Sequence, residues 1–243
     1  MSNRVERSAA HLVARQVRMF QVEQQAAGQA FAAPVVERPA EPAPYVTISR
    51  QYGARGSEVA QLVAARLGWT LYDRALLEEI ARDAHLQERL LAPFDEHARN
   101  NMEHWIGGLM TAETVSEHHY TAALFRVLTS IAAVGRAVIV GRGAHLALPP
   151  ETGLRVRLYA PLADRLIQIA ASEEISEAEA RRRVERVEQT RQAWLVRAYG
   201  DRARETFTFD LALNTAALPL ATCVELTLLA LAARQPAPGE EAG

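Results

Sequence analysis

No lysine occurs anywhere in the 243 residues; all 27 basic side chains are arginine. Any ionic grip on an anion must therefore come from a planar, forked guanidinium and not from a compact ammonium. The phosphate-loop consensus G-x-x-x-x-G-K-[ST] is accordingly missing. Cysteine is reduced to Cys223, which excludes an intrachain disulfide and a Cys-rich zinc site. Its apolar helical neighbours mark it as a buried structural thiol. The motif His-Glu-x-x-His is absent, and Asp95, His97, Glu103, His104, Glu117, His118 and His119 follow no compact metal-ligand spacing. The net charge of −2 gives no attraction toward nucleic acid or an anionic membrane. The first residues, with Arg4, Glu6 and Arg7, lack the apolar core of a secretory signal. Leu218 to Ala233, the most apolar late stretch, is broken by Pro219 and Glu225 and is short for a bilayer. A soluble, cytoplasmic protein without nucleic-acid or membrane partners is expected.

What the chain does contain is an alternation of strand and helix patterns. Residues 1–31 carry an amphipathic helical spacing (Leu12, Val13, Val17, Met19, Phe20), and 32–44 form a linker containing Pro34, Pro39, Pro42 and Pro44. The helix either docks loosely or serves as a dimerisation or partner surface. Strands are expected at Tyr45–Ser49, Thr70–Tyr72, Ala137–Val140, Leu154–Tyr159 and Phe207–Asn214. Helices are expected at Ser57–Leu67, Arg74–Ala84, Ala122–Val134, Leu162–Ala171, Glu177–Arg197 and Leu218–Ala233. Gly68 and Gly135 stop two of these helices, and Ser176 with Glu179 has the spacing of a capping box. Ala137–Val140 is apolar without alternation, as in a parallel strand covered on both faces. These units imply a doubly wound parallel sheet over residues 45–234, with 235–243 as a disordered tail. Ligands of such sheets sit at the carboxyl ends of the strands.

Three segments bear chemistry suited to that end. The turn Gly53-Ala54-Arg55-Gly56-Ser57, followed by Glu58, joins a strand to a helix, where backbone N–H groups and the helix dipole favour an anion. Ser57 can cap the helix or offer its hydroxyl to Mg²⁺. A Gly-x-x-Gly turn alone does not separate an anion site from a plain connection. Arg142 lies between Gly141 and Gly143 after the apolar strand, placed either as a bidentate phosphate clamp or as an ion-paired loop residue. Arg183, Arg186, Arg191 and Arg197 share part of one helical face. They suit a lid closing on polyphosphate, or a solvated helix with pairs such as Glu177–Arg181 and Arg181–Glu185. His145 reads as a surface or packing residue, Trp69 and Trp105 as packing residues, and Asp73 as the cap of the helix at Arg74 or an acceptor contact.

The order of these parts resembles bacterial cytidylate kinases. The matching pieces are Val46 to Asp73 with Leu67-Gly68-Trp69, Val138-Ile139-Val140-Gly141-Arg142-Gly143, Leu154 to Arg165, the Arg-rich stretch after Ser176, and Phe209-Asp210-Leu211-Ala212-Leu213-Asn214-Thr215. The divergent cytidylate kinase-like branch, whose opening commonly reads Ser-Arg-x-x-Gly, is the most similar. The resemblance implies a three-layer P-loop NTPase-like fold of about five parallel strands with an N-terminal helical appendage. It further implies an insert over about 86–120 that covers the acceptor, and a lid over about 172–200. In its register Arg50 and Arg55 stand at the loop glycines and Gly56 at the Lys. Gly143 replaces the Asp of Gly-Arg-Asp, and Arg74 and Glu79 replace the acceptor-recognising Ser and Arg.

The resemblance thus implies an ATP- and Mg²⁺-dependent phosphotransferase acting on a nucleotide or other small phosphorylated acceptor. Arg50, Gly53, Ala54, Arg55, Gly56, Ser57 and Glu58 would bind the nucleotide, and Ser57 its Mg²⁺. Asp73 and Arg142 would bind the acceptor. Arg142, Arg186, Arg191 and Arg197 would stabilise transferring charge. The alternative is a regulatory nucleotide-binding module of the same fold without turnover, and a homodimer through the N-terminal helix is a further expectation.

Overall fold

The computed structural model describes residues 44–91, 96–109, 115–204 and 208–234. The N-terminal helix, the linker up to residue 43, the tail and Asp95 lie outside the described residues. So do the side chains of His97, Trp105, Glu117 and His118.

Five strands form one parallel sheet: β1 (Tyr45–Arg50), β2 (Thr70–Tyr72), β3 (Ala137–Val140), β4 (Gly153–Tyr159) and β5 (Leu211–Asn214). Their order is β2-β3-β1-β4-β5, with β1 central. Tyr45 stands opposite Ala137 on one side and Gly153 on the other, which puts the carboxyl ends of β1, β3 and β4 side by side.

Side chains alternate across each strand and feed two cores. Tyr45, Ala137 and Ile139 face one layer, where they meet α2 (Arg74–Arg82), α5 (Val115–Val134), the short α6 (Ala144–Ala147) and the end of α8 (Glu177–Tyr199). Val46, Ile48, Val138, Val140 and Val156 face the other layer, against α1 (Gly56–Leu67) and α9 (Leu220–Ala233). The doubly wound, P-loop NTPase-like three-layer architecture is therefore the one adopted. A small third cluster, Leu166, Ile169, Ala180 and Val184, joins α7 (Leu162–Glu173) to the start of α8.

Most boundaries follow local chemistry. Gly68 takes the left-handed conformation that ends α1. The Asp73 carboxylate accepts the Leu76 N–H at 2.9 Å and starts α2. Ser176 and Glu179 form both halves of the capping box of α8. Cys223 is buried in the α9 layer. Two expectations shift. α5 begins at Val115 and not at Ala122, preceded by α3 (Ala84–Leu91) and α4 (Glu96–Leu109), so the described residues between 86 and 120 are helical. β5 runs over Leu211–Asn214, with Thr208 to Asp210 outside the strand, and Phe207 lies outside the described residues. No helix among the described residues is long and apolar enough to cross a membrane.

Candidate active site

The carboxyl ends of β1, β3 and β4 open into a cavity of about 550 Å³ roofed by α8. Arg50, Arg142, Arg191 and Arg197, expected from three separate segments, all line it. Arg74, Arg82 and Arg157 line it as well, with only Glu78 and Glu188 as carboxylates. A second cavity of about 260 Å³ lies beside it between α1 and α2, and Arg50, Arg74 and Glu78 border both. Arg186, by contrast, is exposed on the outer side of α8 and lines neither.

Arg50 is the pivot of this arrangement. It leaves the end of β1 with its methylene stem packed on the backbone of Gly56, where a Cβ would come within 2.5 Å of the Arg50 Cβ. Its guanidinium lies against Gly141, a position that tolerates no side chain. Burial, with Arg191 next, pulls its pKa down to about 10. No carboxylate lies within ion-pairing distance of it among the described residues. Arg157, one strand over, is also without such a pair. It donates to Ser49 Oγ at 2.6 Å and lies 5.7 Å over the Phe209 ring, and burial lowers its pKa too.

The other guanidiniums are engaged. Glu78 on α2 pairs with Arg74 at 2.6 Å, Arg82 at 3.8 Å and, closely, Arg142. Arg142 is sandwiched between that carboxylate and the Trp194 ring, 4.7 Å away, and is held at about 10 by burial. Its Nε is buried without a partner, and its backbone is left-handed at φ 49°. Behind it, the Tyr199 ring fills the space a side chain at Gly143 would need, and the Tyr199 hydroxyl donates to the Arg142 carbonyl at 2.7 Å. The Gly-for-Asp departure at 143 is thus matched by a bulky aromatic from α8.

The turn after β1 differs from the expected phosphate cradle. Gly53 packs on the Arg165 carbonyl and Ile169, Arg165 Nη1 donates to the Tyr52 carbonyl at 3.3 Å, and Thr215 Oγ1 donates to the Ala54 carbonyl at 2.9 Å. These contacts turn the loop toward α7 and β5. Gly53, Ala54, Arg55, Gly56 and Glu58 line neither cavity, and Arg55 spends its charge on Glu58 at the surface, 2.7 Å away. Only Ser57 faces the smaller cavity, together with Asp73. A hydroxyl and a carboxylate are oxygen donors of the kind Mg²⁺ takes alongside substrate phosphates, so the residues present fit that ion. Among the described residues there is no group of three or more His, Cys, Asp or Glu that could hold a metal by itself. Of the acid- and His-rich segment, Glu103 pairs with Arg126 and His104 and His119 are exposed.

His145 turns out to be part of the cavity wall. Its ring stacks on Phe209 at 4.6 Å, and burial, followed by Arg157 and Arg155, holds its pKa down to about 3. It stays a neutral imidazole through the physiological range. Trp69 packs in the α1 layer, as expected. Sequence reasoning missed Arg157, Glu78, Glu188 and Trp194. The one available signal was Arg155-x-Arg157 in an otherwise apolar strand.

Residues 45–217 match the family model described as the cytidylate kinase-like family. No curated protein sequence matches the chain. Among solved structures, an uncharacterized protein from Eubacterium ventriosum ATCC 27560 is similar with TM-score 0.56 and 16% identity, over 78% of this chain and 99% of that one. TT1252 from Thermus thermophilus (TM-score 0.42, 18% identity, 79% and 99% covered) also aligns. So does shikimate kinase from Acinetobacter baumannii in complex with shikimate (0.39, 15%, 80% and 95%).

Proposed function

Because this chain belongs to the cytidylate kinase-like family, we propose that it is an ATP-dependent phosphotransferase in which Arg50 takes the part of the missing loop lysine. The observation that carries this reading is the state of Arg50: a largely buried guanidinium without a carboxylate partner among the described residues, standing between two cavities at the ends of the central strands. A desolvated guanidinium in that place, offset by Asp73 without an ion pair to it, is organised for an anionic group.

In this reading the transferring phosphoryl group lies under α8, met by Arg50 from β1, Arg157 from β4 and Arg191 from the lid. These guanidiniums are already desolvated and fixed, so they need little reorganisation as charge shifts toward the leaving oxygen. Phosphoryl transfer requires positioning and charge stabilisation and no covalent intermediate. Ser57 and Asp73 would hold Mg²⁺, and the ion would offset phosphate charge there. Arg142, tied to Glu78 and Trp194, orders the acceptor side by holding α2, the turn after β3 and α8 together. Arg74 and Arg82 border the acceptor end of the cavity, so the acceptor is an anionic small molecule, and CMP is one candidate among nucleoside monophosphates.

A second reading is a nucleotide-binding module without turnover. The observation favouring it is the turn after β1, where Gly53 packs on α7 and residues 53–56 line neither cavity. A coupled assay of ADP release with ATP, Mg²⁺ and a panel of monophosphates separates the two. Turnover on any acceptor, abolished in Asp73→Asn under saturating ATP, supports the transferase. Calorimetric ATP binding without turnover on the whole panel supports the module.

A further inference from the structure

Glu188 is surrounded as a bound anion would be. Its Oε1 accepts the Tyr52 backbone N–H at 2.7 Å, and Arg191 and Arg165 bring Nη1 to 3.8 and 4.0 Å from the same oxygen. Burial lowers the Arg157 pKa, and Glu188 is the charge that most opposes this. A main-chain amide with converging guanidiniums, at the turn between a strand and a helix, is a donor set for a phosphate oxygen.

Nothing apolar fastens Glu188 in this place. From Glu185 to Ala193, α8 buries no side chain. The helix is anchored before this stretch by Ala180 and Val184 on α7, and after it by Ala198 and Tyr199 in the large core. In between, Glu188 and Arg191 carry its contacts with β1 and the loop. Arg191 Nη1 donates to the Arg50 carbonyl at 3.4 Å, and its guanidinium lies 5.5 Å over the Tyr52 ring. Polar contacts of this kind exchange readily for others of equal or higher charge.

We propose that Glu188 is the built-in occupant of a phosphate subsite, and that a phosphate dianion of the donor nucleotide enters by displacing its carboxylate. The proposal rests on the phosphotransferase reading and concerns how that site is controlled. The dianion prevails because Arg50 and Arg157, which form no ion pair among the described residues, face the same cavity and attract the second charge. Glu188 meanwhile compensates arginines that would otherwise repel one another, and it weakens every ligand by the same competition.

The test is calorimetry on the full chain with inorganic tripolyphosphate, with ATP and Mg²⁺, and with a nucleoside monophosphate. Wild type is compared with Glu188→Gln, Glu188→Ala and Glu185→Gln. Both Glu188 variants should bind tripolyphosphate and ATP about tenfold more tightly. Glu185→Gln, which removes a charge from the exposed side of the same helix, should bind like wild type. A gain for the monophosphate alone overturns it, since the subsite would then belong to the acceptor and not to the donor. If wild type binds and neither Glu188 variant binds more tightly, the inference falls and the phosphotransferase reading stands. An equal gain in Glu185→Gln overturns it too, since bulk charge would then set the affinity. Failure of all four proteins to bind any triphosphate overturns both.

Discussion

Replacing Arg50 by methionine should make the protein more stable and less active at once. Methionine keeps an unbranched stem over Gly56 and removes the guanidinium. Burial, with Arg191 next, holds the Arg50 pKa at about 10, well below the ordinary guanidinium value. At about 1.4 kcal/mol for each tenfold change in proton affinity, keeping that charge costs the folded state about 3 kcal/mol. The folded pKa lies below the unfolded one, so the penalty is fully present below about pH 10 and fades as the pH rises toward the unfolded value. Set against the lost contacts of the head group, Arg50→Met should gain about 1–3 kcal/mol at neutral pH. Turnover should move the other way, by about a hundred- to a thousandfold, the effect of deleting one preorganised charge donor. Urea unfolding followed by tryptophan fluorescence, run beside the ADP-release assay, reads both quantities. A variant destabilised by about 1 kcal/mol or more would show that Arg50 is held for folding and has a compensating partner. Wild-type turnover in a properly folded variant would remove it from the chemistry altogether.

Two further outcomes follow from the same site. Gly143→Ala should cost about 2–4 kcal/mol, because the new methyl lands on the buried Tyr199 ring and φ is +64°; pairing it with Tyr199→Leu should recover most of the loss in urea unfolding, and no recovery would refute the steric account. His145 has a folded pKa of about 3 against an ordinary 6.5, so its contribution is whole above pH 6.5 and is lost as the pH falls toward 3. Wild type should therefore lose about 3 kcal/mol more than His145→Gln between pH 7 and about pH 4; parallel stability curves for the two proteins would refute this.

The sheet was legible because its signals are local. Ala137–Val140 has no polar residue to turn outward, Gly68 has no Cβ to resist a left-handed stop, and Ser176 with Glu179 closes a box within four residues. The arginine-bearing segments were legible as a set, since parallel strands put their carboxyl ends together. What those arginines do was not legible. Whether Arg142 is available depends on Glu78, and Glu188 reaches Tyr52 across 136 positions. No spacing along the chain encodes such pairings. The orientation of the Gly53 turn was hidden for a similar reason: it is set by Arg165, Ile169 and Thr215, which lie on elements that come much later. Arg186 and Arg191 stand about 140° apart on a helical wheel, and Arg191 is the one on the side of buried Val184, so helical spacing already separates the inward residue from the outward one.

Tyr199 gives α8 a second consequence. Its ring is the plug in the hollow left by Gly143, and its hydroxyl is hooked to the carbonyl of Arg142. The roof of the cavity and the turn after β3 are therefore fastened to each other at one side chain. A displacement of α8 at Tyr199 would empty the hollow beside Gly143 and break the hydrogen bond to the Arg142 carbonyl in the same movement.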